Sequence, residues 1–168
     1  AAADSSTQPV APVVTGDVSN NIDAGGQTLT NDVTVTPAGS ITNATFGGDV
    51  VNNGSISGSV FEGNVQNQGL ISNSSLACGA TLTGGTLTGA ITSQGTISNI
   101  DFTGSKLSGG TLAGTITNNS QVGGIIENVN LAPNTTLTGG RIGGTITADP
   151  TSTLRNVQLM ANSNLVGG

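Results

Sequence analysis

Between Ile41 and Ile142 an aliphatic side chain or Phe returns every five residues, a period that belongs neither to an α-helix nor to a flat strand. The centres are Ile41, Phe46, Val51, Ile56, Phe61, Ile71 and Leu76, with Gln66 as a gap, and then Leu82, Leu87, Ile97, Phe102, Leu107, Leu112, Val122, Leu137 and Ile142. Thr92, Thr117, Glu127 and Ala132 interrupt the second series. Two places before each centre the residue is usually small, as at Gly39, Ala44, Ser59, Gly69, Ala80 and Gly95. Two places after it stands Gly or Asn, as at Asn43, Gly58, Asn73, Gly89 and Asn99. Positions two apart on a strand face one side, so the small and the large residue share an interior. Gly and Asn tolerate φ > 0 and turn the chain at the next corner. The pattern predicts an all-β chain, a right-handed parallel β-helix (β-solenoid) built from five-residue steps with Gly/Asn corners. A Gly/Ser/Thr/Asn-rich linker has a similar composition, but it does not hold its apolar residues in one phase.

Organisation follows from where the phase begins. Residues 1–23 are polar, with Pro9 and Pro12 and one apolar cluster, Val10, Ala11, Val13 and Val14, and read as an extended N-terminal segment. Residues 24–168 read as one solenoid domain. Two coil geometries fit. Four pentads per coil would make about seven coils, roughly 34 Å long at the usual strand spacing. The sub-motifs Ala90-Ile91-Thr92, Thr115-Ile116-Thr117 and Thr145-Ile146-Thr147 return at longer intervals with the same neighbours, and they favour a larger coil of 25 to 30 residues. Returns at Asp49-Val50 and Asn64-Val65 are closer.

The unit in Ala80-Thr81-Leu82-Thr83-Gly84 and Ser105-Lys106-Leu107-Ser108-Gly109 resembles the pentapeptide-repeat family, whose fold is a right-handed four-sided β-helix. The family favours Asp or Asn before the central Leu, where this chain usually has Thr or Ser and only Asp101 matches. Asn52-Asn53-Gly54-Ser55-Ile56 and Asn67-Gln68-Gly69-Leu70-Ile71 are similar to repeats of haemagglutinin-like bacterial adhesin β-helices. Together these resemblances cover about residues 39–146. Both imply a β-solenoid, and the second implies a secreted or cell-surface location in a bacterium.

Chemistry is sparse. The chain has no His, Trp or Tyr, three basic residues (Lys106, Arg141, Arg155) and a net charge of −6. Without His no Ser-His-Asp or Cys-His arrangement exists, and the nine carboxylates form no close pair in sequence, so no enzyme, cofactor or metal site is expected. A basic face for nucleic acid is absent, and 7% charged residues are too few for the DNA mimicry practised within the pentapeptide-repeat family. No run approaches the ~18 apolar residues of a transmembrane span. Cys78 stands alone, so an internal disulfide is impossible. Sequons at Asn43, Asn73, Asn118 and Asn134 permit glycosylation.

Thr-x-Thr steps at Thr81 and Thr83, Thr86 and Thr88, Thr115 and Thr117, Thr136 and Thr138, and Thr145 and Thr147 would form ice- or ligand-facing files if they stacked on one flat face. Thr is also simply a good outward strand residue. Solenoid ends expose unpaired backbone, and here Leu165 and Val166 close the chain in the repeat style. The expectation is an extracellular structural protein whose partner is itself, a homopolymer forming a fibre, sheath or surface matrix, with Val10, Val13, Val14, Leu165 and Val166 at the joints. The alternatives are a repeat segment of an adhesin that binds a surface glycan, and an ice-binding protein.

Overall fold

The computed structural model describes residues 16–167. Among them are 26 strands of two to eight residues and no helix. The strands stack in parallel as a solenoid of about nine turns, roughly 43 Å long at the usual spacing. Each coil has three faces, not four. Face 1 starts with Gly16–Val18 and Val33–Val35, face 2 with Asn21–Asp23 and Ser40–Thr42, and face 3 with Thr28–Leu29 and Thr45–Phe46. Strands Thr96–Phe102 and Thr111–Asn118 run round the corner from face 1 to face 2, joining those faces into one sheet. The first two described strands, Gly16–Val18 and Asn21–Asp23, lie within the 1–23 segment and pair with strands of the solenoid.

Three pentads make one coil. Ile41 pairs with Ile56 and Ile56 with Ile71, fifteen residues apart each time. The seventeen-residue steps contain a four-residue turn closed by a backbone bond, while a few steps, such as Ile71 to Leu87 and Ile91 to Leu107, take sixteen. Val33 to Val50 crosses the turn Thr36–Gly39, whose Gly39 N–H donates to the Thr36 carbonyl at 2.8 Å. Ile22 to Ile41 crosses that turn and the turn closed by Gln27 N–H on the Ala24 carbonyl. Pro37, Pro133 and Pro150 each hold the second place of such a turn, where a fixed φ near −65° fits. The preferred coil of 25 to 30 residues is therefore wrong. Ile91, Ile116 and Ile146 lie on faces 3, 2 and 1, because one pentad builds all three faces and likeness of motif does not report stacking.

The inward files are continuous. Face 1 stacks Val33, Val50, Val65, Leu82, Ile97, Leu112 and Leu131. Face 2 stacks Ile22, Ile41, Ile56, Ile71, Leu87 and Phe102. Face 3 stacks Leu29, Phe46, Phe61 and Leu76, with the rings of Phe46 and Phe61 parallel at 5.1 Å. Burying each such side chain contributes about 1.5–3 kcal/mol. Faces 2 and 3 each slide once by two residues: Leu76 pairs with Ser93 while Ile91 pairs with Leu107, and Leu87 pairs with Phe102 while Ile100 pairs with Ile116. A slide of two keeps every inward side chain inward.

Two of the expected centres are not interior. Val51 is half-buried and points outward, and the inward pair around it is Val50 and Asn52. The same inversion places Val65 and Asn67 inside around Gln66, and Ile91 and Ser93 around Thr92. Val122 is 73% exposed on a loop that lengthens its coil, because Leu112 stacks on Leu131 nineteen residues later.

Small residues precede the centres for a steric reason. A Cβ at Gly39, Gly69 or Gly95 would overlap the backbone carbonyl oxygen of Val18, Gly54 or Ala80 in the coil beneath. The position is a contact between coils more than a share of the interior.

Candidate functional site

The interior carries polar side chains, and each is satisfied. Asn52 and Asn67, both fully buried, stack with Asn52 Nδ2 donating to Asn67 Oδ1 at 2.9 Å. Each also accepts the backbone N–H two residues on, Gly54 and Gly69, so the amide closes a corner and ties two coils together. Ser59 and Ser74 form a second ladder, in which the Ala44 N–H donates to Ser59 Oγ and the Ser59 N–H to Ser74 Oγ. Buried polar atoms left unpaired would cost roughly 1–3 kcal/mol.

Outer corners use a different device. Asn73, Asn99 and Asn128 have φ of 50–55° and stand one at each of the three corners, each with a Gly in the next coil: Gly89, Gly114 and Gly144. Each Asn Oδ1 accepts the N–H just past the Gly above it: Ala90 at 3.0 Å, Thr115 at 2.9 Å and Thr145 at 2.9 Å. The carboxamide fills the space a Cβ on that Gly would need, so Asn in one coil calls for Gly in the next. Nearer the start of the solenoid, the corner from face 3 to face 1 runs Asp32, Asp49, Asn64 and Thr81, with the Asp49 N–H on Asp32 Oδ1, the Asn64 N–H on Asp49 Oδ1, and the Thr81 hydroxyl on Asn64 Oδ1. These residues are structural pins.

The Thr-x-Thr steps divide between two faces. Thr81, Thr83, Thr145 and Thr147 lie on face 1, several coils apart. Thr86, Thr88, Thr115, Thr117, Thr136 and Thr138 lie on face 2. Only part of the set stacks on itself: Thr115 on Thr136 and Thr117 on Thr138. Thr86 meets Asp101 instead, which interrupts the file on face 2. The closest approach to a file on face 1, Thr81, Thr96 and Thr111, uses two residues outside the expected set. Thr96 and Thr111 follow Thr81 at successive steps of fifteen residues, so they stand out only once the coil length is known.

The joint residues separate in a different way. Val10, Val13 and Val14 lie outside the described residues. Leu165 and Val166 sit on Asn164–Gly167, which pairs on one side only, with Thr145–Ala148. They are 44% and 43% exposed, and Leu159 is 51% exposed on Gln158–Leu159. Thr153–Arg155 is the third strand of this edge, and its inward Leu154 is half-buried. Leu154, Leu159 and Leu165 each continue an inward file, and no described residue covers them. Sequence reading missed Leu154 and Leu159, which stand five apart like the earlier centres but two residues out of phase with Ile142, past the turn Asp149–Ser152.

Charge is spread unevenly along the axis. Seven of the nine carboxylates precede Lys106, and all three cations lie from Lys106 onward. Among the described residues the one ion pair is Lys106 with Glu127 at 3.7 Å. Asp149 is held below the usual carboxylate range by the Thr151 hydroxyl, then by the Thr151 N–H, both donating to its Oδ1. No group of three His, Cys, Asp or Glu among the described residues is placed to hold a metal ion, and no described helix is long and apolar enough to cross a membrane. Cys78 is exposed in the turn Ala77–Ala80. The sequon residue Asn118 is buried and donates to the Gly124 carbonyl, which closes it to a glycan.

No family model, no curated protein and no solved structure matches this chain. The solenoid therefore stands on its own strand pairing, and its three-sided coil departs from the four-sided coil that the pentapeptide resemblance implied.

Proposed function

We propose that this chain is a non-enzymatic structural module of a secreted or cell-surface bacterial assembly, which stacks end to end into a fibre, sheath or matrix. The observation that carries the reading is the row of inward-file side chains, Leu154, Leu159 and Leu165, left uncovered on a parallel edge. Such an edge pairs readily with another strand, and natural proteins usually block it. The polar, weakly charged faces suit a solvated shaft. A coil supplied by the same polypeptide would cover the edge equally well in a longer adhesin shaft, which is the second reading.

Electron microscopy of the purified chain over a concentration series, with light scattering alongside, tests the first reading. Filaments of uniform width that lengthen with concentration are expected. A monodisperse single chain across the whole series would overturn it.

A further inference from the structure

The corner between faces 2 and 3 carries a projection in one half of the solenoid and a notch in the other. Phe102 stacks on Asn118 and Leu107 on Ile126, yet the passage takes five residues in the first coil and eight in the second. The excess forms the loop 119–124. Ser120 ties its base: the hydroxyl donates to the Gly104 carbonyl at 2.7 Å and accepts the N–H of Val122 and of Gly124. The tip residue, Val122, is thereby held out in water, 73% exposed. A loop already ordered by its own hydrogen bonds has little entropy left to lose when it docks. Arg141, in the next coil, lies beside it, with Cζ 3.8 Å from where a Cβ on Gly123 would stand. Among the described residues Arg141 has no ion pair.

Five coil steps nearer the start, counted from Asn118 through Phe102, Leu87, Ile71 and Ile56 to Ile41, the same corner is hollow. The notch holds about 430 Å³ and is lined by Asp23, Gly25, Gly26, Thr45, Gly58 and Val60. A Cβ on Gly25 or Gly26 would meet no atom within 4 Å, so the mouth is open. Thr45 lies at its centre, and Asp23 lies one coil nearer the start. Asp23 Oδ1 accepts the Gly25 N–H and Asn43 Nδ2, which leaves Oδ2 without a hydrogen bond among the described residues. Between loop and notch the corner carries Asn73, Gly89 and Gly104, whose neighbours are Ser, Thr and Ala, so two such corners can approach closely.

Two copies side by side in opposite directions bring loop and notch together twice. A two-fold axis across the corner, between the coils of Ile71 and Leu87, carries the loop of each copy onto the notch of the other. The order of groups also matches. Arg141 lies one coil beyond its loop and Asp23 one coil before the centre of its notch, and in antiparallel copies these directions coincide. Val122 over Thr45 therefore sets Arg141 against Asp23, whereas parallel copies would leave them two coils apart. All three cations lie from Lys106 onward and seven of nine carboxylates precede it, so the same arrangement faces the cationic half of each copy with the acidic half of the other. We propose that two copies of this chain pair laterally and antiparallel along this corner, the Val122 loop of each seated in the other's notch with Arg141 against Asp23. The pairing is independent of end-to-end stacking and adds a sideways contact to it.

Sedimentation velocity of the full chain, at concentrations too low for filaments in the electron microscope, reads the pair directly. Particles of two chains are expected, dissociating as salt is raised. Arg141→Glu and Asp23→Lys each set like charges at both contacts and should weaken pairing by about tenfold or more. Mixed in equal amounts, the two variants should pair again, because every contact then joins opposite charges. Val122→Asp should weaken pairing without touching the coil interior. Circular dichroism checks the fold, and Asp23→Asn, which keeps an oxygen for the Gly25 N–H, is a milder second variant. A single-chain parent, a pair indifferent to these variants, or a mixture no tighter than either variant alone would overturn the pairing and leave the end-to-end reading standing. Pairs that never lengthen into filaments at any concentration would support the pairing and overturn the end-to-end reading alone.

Discussion

Asn67 shows how one side chain serves two levels of the fold. Its Oδ1 accepts both the Gly69 N–H and the Asn52 Nδ2, and its own Nδ2 donates to the Gly84 carbonyl at 3.2 Å. Asn67→Ala removes these bonds inside a dry core and leaves the Asn52 amide short of a partner. Urea denaturation should show a loss of about 1–3 kcal/mol. A similar loss from Gln66→Ala, whose side chain is exposed, would show that the internal ladder has no special weight. Asn73, Asn99 and Asn128, all with φ > 0, act at the same scale, since each amide pins the coil above and fills the space a Cβ on its Gly would need.

At the scale of the element, coil length is set by turns. The corner Phe61-Glu62-Gly63-Asn64-Val65 passes from face 3 to face 1 without a turn, whereas Leu76-Ala77-Cys78-Gly79-Ala80-Thr81-Leu82 makes the same passage with one. Deleting Cys78 and Ala80 together restores the shorter pattern, with Gly79 in the place of Gly63. That double deletion should keep the strand content by circular dichroism and a sharp thermal transition. Loss of strand content or of the sharp transition in the double deletion would refute the turn rule.

For the whole molecule, each coil touches only its neighbours, so the cost of a lesion depends on its place along the axis. Phe61→Ala, in the middle of the stack and against Phe46, should cost about 3–5 kcal/mol. Leu159→Ala, at the last described coil, should cost far less in the isolated chain, and thermal unfolding of the two variants side by side measures the difference. If copies stack end to end as proposed, a covering coil would bury Leu159 and the two losses should converge.

The sequence by itself determined the kind of fold. Pentads of small, large and Gly or Asn residues are local, and each one specifies a strand and a corner wherever it occurs. The same local character hid the coil. A coil of fifteen residues, lengthened at turns, could be recognised only from which residues stack, because three equivalent faces leave no sequence mark of their own. The turn signals Thr36-Pro37, Ala132-Pro133 and Asp149-Pro150 were legible, but their effect on stacking was not. For the same reason the Thr steps, read as one array, fall on two faces, and the edge residues Leu154 and Leu159 emerge only when the last coil is counted. Pairing between coils is a long-range choice made by backbone contact and shared interior, and the tertiary structure alone decided it.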